Sequence, residues 1–131
     1  MIVLDTHVWV WFISNPEFLS KAAKNAINVS IEQKAMFISS ISAWEVALLA
    51  AKKRLKLSID VTDWIIKSEK LPFFQFIPVD NSIAVKAVNL PQPLHKDPAD
   101  RIIIATAINA GAPVVTKDEK LLHYPHVETI W

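Results

Sequence analysis

The sequence has no cysteine, so disulfide bridges and thiolate-bound zinc are both excluded, and a reducing cytoplasmic setting is the default expectation. It has one glycine, Gly111. A P-loop and a dinucleotide-binding fingerprint each need several glycines so that backbone can approach phosphate, and neither can be built here. No apolar run approaches the ~18 residues of a membrane span. The start of the chain also lacks the basic, apolar and cleavable regions of a signal peptide, so no membrane partner is expected. A dominant charge is missing as well: the formal net charge of +1 by itself names no polyanionic partner.

What is present is a large apolar fraction. Hydrophobic residues make up 52% of 131, too many for a disordered chain and enough for the core of one domain spanning 1–131. Strands are expected at Ile2–Leu4, Ala35–Ile38, Phe74–Val79, Pro113–Thr116 and Val127–Ile130. Helices are expected at Val8–Ser14, Lys21–Ser30, Ala43–Lys53, Val61–Lys70, Ser82–Asn89 and Pro98–Ala110, with a short amphipathic stretch at Lys120–Leu122. The helix from Pro98 has proline in its first turn and Gly111 just past its end, the expected asymmetry. Strands alternating with helices, without hairpin signals, indicate an α/β fold with a parallel sheet covered on both faces.

In such a sheet, ligands bind outside the carboxyl ends of the strands, where residues far apart in sequence meet. Asp5 follows the first strand and Asp118 the strand at Pro113–Thr116; Glu45 and Asp100 lie in first helical turns. Carboxylates gathered on one edge without cationic partners repel unless a cation lies between them, which points to metal-dependent phosphodiester chemistry. Mg²⁺ binds through one or two carboxylates, water and substrate oxygens. It acidifies water and offsets phosphate charge. Without metal, crowded acids should show raised, coupled pKa values. Lys96, Arg101, Lys117 and Lys120 flank the proposed site, and Lys52, Lys53, Arg54 and Lys56 form a basic run that reads equally as a solvated helix end.

Each acid also has a structural reading. Asp5 could cap the following helix. Ser42-Ala43-Trp44-Glu45 is a capping box in which Glu45 reaches back to the Ser42 N–H. Asp97 before Pro98 is an N-cap, with Asp100 three residues on, near a helix dipole that favours both. Asp118 could cap the stretch after it.

Four blocks in order resemble the motifs of PIN domains: Met1-Ile2-Val3-Leu4-Asp5-Thr6-His7-Val8-Trp9-Val10-Trp11, Ser42-Ala43-Trp44-Glu45-Val46, Asp97-Pro98-Ala99-Asp100-Arg101-Ile102-Ile103-Ile104-Ala105-Thr106-Ala107, and Val115-Thr116-Lys117-Asp118-Glu119-Lys120-Leu121. The resemblance covers the whole chain and is strongest to VapC-type toxins of bacterial type II toxin–antitoxin systems. It implies a three-layer sandwich with a central, mostly parallel sheet. It further implies an endoribonuclease dependent on Mg²⁺ or Mn²⁺, inhibited by a cognate antitoxin and commonly homodimeric. Carried over by position, Asp5, Glu45 and Asp100 would be the acidic core and Asp118 the fourth acid. Thr116 matches a hydroxyl position; Thr6, Asp97 and Arg101 would support the site, Arg101 by meeting phosphate or by a salt bridge on its helix.

Other residues read differently. Trp9, Trp11 and Phe12 cannot share one helix face, so some are expected to be exposed or against a partner. Trp44 and Trp64 are expected in the core or at its edge, and Phe73, Phe74 and Phe76 under the sheet. His7 is expected to serve the first helical turn, and His123 and His126 to lie in a surface turn around Pro125; His95, in the proline loop, could approach RNA. A receiver-type phosphoacceptor needs an acidic pair after the first strand, and an Asp-x-Asp phosphatase needs an acid at residue seven; Thr6 and His7 stand there instead. The remaining rival is a PIN-like module that mainly binds an antitoxin and, through it, operator DNA.

Overall fold

The computed structural model describes residues 1–94 and 96–131, so the expectation for His95 lies outside the described residues. Five parallel strands form one sheet: β1 (Ile2–Leu4), β2 (Met36–Ser39), β3 (Phe74–Ile77), β4 (Val114–Val115) and β5 (Thr129–Ile130), in the order β3-β2-β1-β4-β5. The helices are α1 (Thr6–Ser14), α2 (Lys21–Gln33), α3 (Ser40–Ala51), α4 (Val61–Glu69), α5 (Asn81–Val88), α6 (Pro98–Ala110) and α7 (Glu119–Leu122), with a 3₁₀ turn at Pro16–Phe18. No helix among the described residues is long and apolar enough to cross a membrane.

The strand sequences explain the layering. Side chains alternate across a strand, so Ile2 and Leu4 enter one core and Val3 the other. Val115 and Val114 divide in the same way. All five are buried, as a parallel sheet covered on both faces requires. Val8, Trp9, Ile27, Val46 and Trp64 fill one side, and Ile103, Ile104, Ala107, Leu121 and Tyr124 the other. The chain builds outward from β1 through β2 to β3, then returns to β1's other flank for β4 and β5. The point where the order reverses lies between β1 and β4, and the crevice outside the carboxyl ends of these strands is the natural binding place.

Several boundaries move for local reasons. Helix α1 starts two residues before the expected Val8, because the Asp5 side chain accepts the Thr6 N–H. The expected start of α3 at Ala43 is also late: Ser39 is the N-cap and accepts from Ile41 N at 3.2 Å. Strands β4 and β5 keep only two residues each, although Val3 N still donates to Pro113 O and Thr116 N to Ile130 O. With one glycine available, left-handed backbone falls partly on lysine. Gly111 closes α6 at φ 64°, but Lys34 caps α2 at φ 53° and Lys53 follows α3 at φ 57°. Each non-glycine residue held there costs on the order of 1 kcal/mol. Lys52, Lys53, Arg54 and Lys56 are exposed, the solvated helix end.

The aromatic expectations are partly overturned. Trp9 is fully buried, against Trp64 at 4.7 Å and Phe76 at 5.5 Å. Trp11 meets His7, Phe18 and Trp131, and Phe12 meets Phe73 and Phe74, so intrachain rings meet all three faces of α1. Trp64 belongs to the core as expected, but Trp44 does not: it is 57% exposed, on the outer side of α3.

Trp9 joins α1 to α4 and β3, and its indole N–H donates to Ser68 Oγ at 3.3 Å. Trp9→Ala should lower unfolding free energy by about 3–5 kcal/mol, read from equilibrium urea denaturation.

Candidate active site

Asp5 ends the central strand and begins α1, where the chain turns out of the sheet. It is 5% exposed, so both carboxyl oxygens need partners. Its Oδ1 accepts the Thr6 N–H at 2.8 Å, and its Oδ2 the Thr116 hydroxyl at 2.7 Å. Burial pushes its pKa above the ordinary 3.8 although these hydrogen bonds and His7 pull it down; Asp118 adds a further upward push. Thr116, buried beyond the end of β4, also accepts the Asp118 N–H at 3.0 Å. One hydroxyl therefore fastens Asp5 to the turn that carries Asp118, across the β1–β4 crevice.

On the other side, Thr6 Oγ1 donates to Glu45 Oε1 at 2.6 Å and lies 2.8 Å from Ser42 Oγ. Thr6 has one hydroxyl proton, and the carboxylate is the stronger acceptor, so Ser42 supplies the proton of the second bond. This corrects the capping-box reading. With Ser39 as cap, Glu45 lies beyond the first turn of α3, and Ser42, three residues earlier on the same face, is buried against Thr6. Ser42 is the residue sequence reasoning misassigned. Its signal was an i, i+3 spacing to Glu45, which fits a shared hydrogen-bonding face as well as a cap.

Glu45 is half-buried, and its pKa is pushed up to about 7, first by desolvation and then by Asp5, Asp100 and Asp97, against the lowering effect of Thr6. The structure thus brings Asp5, Asp97 and Asp100 close enough for their charges to act on Glu45. Asp97 caps α6 as expected, its Oδ1 accepting from Ala99 N at 2.9 Å and Asp100 N at 3.2 Å. Asp100 is half-buried in the first turn. Asp118 caps α7 through Lys120 N at 2.9 Å. Among the described residues no Lys or Arg pairs with Asp5 or Glu45.

Arg101 lies in the first turns of α6, and part of its hydrogen bonding is to backbone. Its guanidinium donates to the carbonyls of Ala87 at 2.8 Å and Val88 at 3.1 Å, which end α5, and reaches Leu94 O in the proline loop. It secures the backbone leading into α6. Lys117 stands 5.9 Å above the Trp11 ring, with exposed His7 on the same indole. His123 and His126 are exposed in the turn around Pro125, as expected.

The donor set consists of carboxylate and hydroxyl oxygens, the ligands a hard divalent cation takes. Neighbouring acids also help to raise the pKa values of Asp5 and Glu45, and an added positive charge would relieve that. Among the described residues no three His, Asp or Glu side chains stand together at chelating distance as placed; the threonine hydroxyls hold Asp5 and Glu45 instead. The chemistry of the donors fits a metal.

The family model for the PIN domain matches residues 2–127. The chain is 37% identical over 132 aligned residues to Ribonuclease VapC22 of Mycobacterium tuberculosis, covering 99% of this chain and 98% of that protein. Its fold resembles that of VapBC2 from Rickettsia felis, solved bound to a promoter DNA fragment, with TM-score 0.70, 19% identity and coverage of 98% and 97%. DNA-bound VapBC from Salmonella typhimurium is similar, with TM-score 0.66, 19% identity and coverage of 98% and 95%.

The raised Glu45 pKa has a stability consequence for metal-free protein. Between the ordinary value of 4.5 and about 7, folded protein keeps a proton that unfolded chain releases, so stability falls as pH rises through that window. Glu45→Gln should therefore melt at a higher temperature than wild type above pH 7 in EDTA. The difference should vanish below pH 4.5, and thermal melts across this range check it.

Proposed function

This chain belongs to the PIN domain family, and from that membership and its carboxylate edge we propose that it is the endoribonuclease toxin of a type II toxin–antitoxin pair. The single observation that carries the reading is the network Asp118–Thr116–Asp5–Thr6–Glu45 at the point where strand order reverses. A resemblance in overall fold would not require buried carboxylates there. Here two threonines hold them at a cost in desolvation, in a relative of a named ribonuclease.

Asp5, Glu45, Asp100 and Asp118 would hold the divalent cation, Mg²⁺ or Mn²⁺. When bound, the cation supplies positive charge against the phosphate and acidifies water. Asp5 is the fixed member, since burial and its two hydrogen bonds leave it a single orientation. Glu45 is more open, with one oxygen held by Thr6, and orients the attacking water. Thr116 keeps the Asp5 carboxylate turned toward the β4 edge, and Asp97 shapes the first turn that presents Asp100. Neither Asp97 nor Arg101 touches the reacting atoms.

The same relatives support an antitoxin as partner. A cognate antitoxin would cover the acidic edge, in line with the toxin–antitoxin complexes whose fold this chain shares. A homodimer, one domain per chain, would act in the cytoplasm on cellular RNA.

The test is cleavage of a mixed RNA pool by antitoxin-free protein with Mg²⁺, Mn²⁺ or EDTA. Metal-dependent cuts are expected, and Asp5→Asn, Glu45→Gln or Asp100→Asn should each reduce them to the EDTA level. A folded protein that cuts nothing, yet still binds its antitoxin and through it operator DNA, would reverse the conclusion in favour of a binding module. Thr116→Val should lower the cleavage rate about 10–100-fold, as removing a partner that orients a metal ligand does, and raise the Mg²⁺ concentration for half-maximal rate.

A further inference from the structure

Four of the five tryptophans have ring partners within the chain: Trp9 with Trp64, and Trp11 with Trp131. Trp44 has none among the described residues, and its indole N–H makes no hydrogen bond there. An indole left 57% exposed gives up much of the burial its size could provide. It is also adjacent in sequence to the acid at the centre of the candidate site.

Helical spacing places Trp44 in a groove. Ile41, Trp44 and Leu48 fall at i, i+3 and i+7 and share one face of α3. Across from them, the start of α6 supplies Asp97 and Pro98. The space between, about 420 Å³, is bounded at one side by Glu45. Its walls are mostly apolar, and both charged residues lining it are acids.

We propose that Trp44 is the platform on which one base of the RNA substrate stacks, next to the cleavage site. The inference rests on the ribonuclease reading. Because Glu45 lines this groove, a strand whose phosphate lies against Glu45 has the groove directly beside it. Charge decides which part of the nucleotide enters it. Two carboxylates repel a phosphate group, whereas a base offers an apolar face to the indole and N–H donors to acids at its edge. Single-stranded RNA is commonly read in this way, with unstacked bases laid on aromatic side chains and recognised along their edges. Trp44 would be a specificity-determining residue that binds substrate without entering the chemistry.

The test uses a short single-stranded RNA that wild-type protein cuts, with copies carrying an abasic nucleotide at each position flanking the cut. Binding is measured in EDTA, and cut positions are mapped with Mg²⁺. One abasic position should weaken binding to wild type about tenfold, and Trp44→Ala should do the same with intact RNA. Combined, the two changes should weaken binding no further, since both remove one contact. Trp44→Phe should keep most of the affinity, and Trp44→Ala should also relax base preference at that position. Its melting temperature should stay close to that of wild type, because the indole is largely exposed.

Losses that multiply would overturn the proposal while leaving the ribonuclease reading intact, as would unchanged RNA binding by Trp44→Ala. Trp44→Ala that handles RNA normally but no longer retains a co-expressed antitoxin would assign the groove to protein docking instead. Wild-type protein that cuts no RNA would remove the ribonuclease reading, and this proposal with it.

Discussion

The burial of the Asp5 carboxylate is the constraint around which the rest of the molecule is arranged. A carboxylate removed from water is costly unless hydrogen bonds replace the lost hydration. Here the replacements are the Thr6 N–H and the Thr116 hydroxyl, one from its own helix and one from the far side of the chain. Each presupposes correct tertiary structure: α1 must start at Thr6, and β4 must lie beside β1 in register, with Val115 opposite Leu4. A one-residue slip in that pairing would turn Thr116 to the other face and leave a carboxyl oxygen unsatisfied. The acid is thus a check on the fold as well as a part of the site.

The same constraint sets the electrostatics. Asp5 and Glu45 are raised mainly by desolvation, with neighbouring acids adding to it and hydroxyl donors opposing it. The helix starts of α1 and α6, which carry positive partial charge, lie among these acids and ease their crowding without neutralising them. The result is an edge that holds a fixed acid beside a more open one, with no lysine or arginine partner for either among the described residues. Such an edge is poorly suited to stabilising the fold and well suited to receiving a cation with an anionic substrate. Arg101, next to Asp100 in sequence, is directed to the carbonyls at the end of α5, where it shapes backbone.

Aromatic residues divide along similar lines. On sequence alone, some of Trp9, Trp11 and Phe12 should be exposed or against a partner, because no single face of α1 can bury all three. The structure covers them from separate directions: α4 and β3 against Trp9, the chain end and Phe18 against Trp11, and the start of β3 against Phe12. Trp44 went the other way. An apolar residue in a helical pattern reads as core, yet α3 has neighbours on only part of its circumference, and the indole lies on the open part.

Short-range physics made much of this legible without coordinates. Alternating apolar residues in Ile2–Leu4, the Asp97-Pro98 start and Gly111 end of α6, and the strand–helix alternation each act over a few residues, and the parallel α/β architecture followed from them. The acids were legible because strand ends in a parallel sheet converge. Their partners were not. Ser39, Ser40 and Ser42 are locally almost equivalent as caps, and only the approach of α1 reveals Ser42 as a partner of Thr6. Thr116 reaches Asp5 across 111 positions, a pairing decided by which strand lies next to β1. Sequence determined the elements and the kinds of residue at their ends, because periodicity and capping are local. Tertiary structure decided which hydroxyl meets which carboxylate and which indole is left open, because those depend on neighbours that local pattern does not encode.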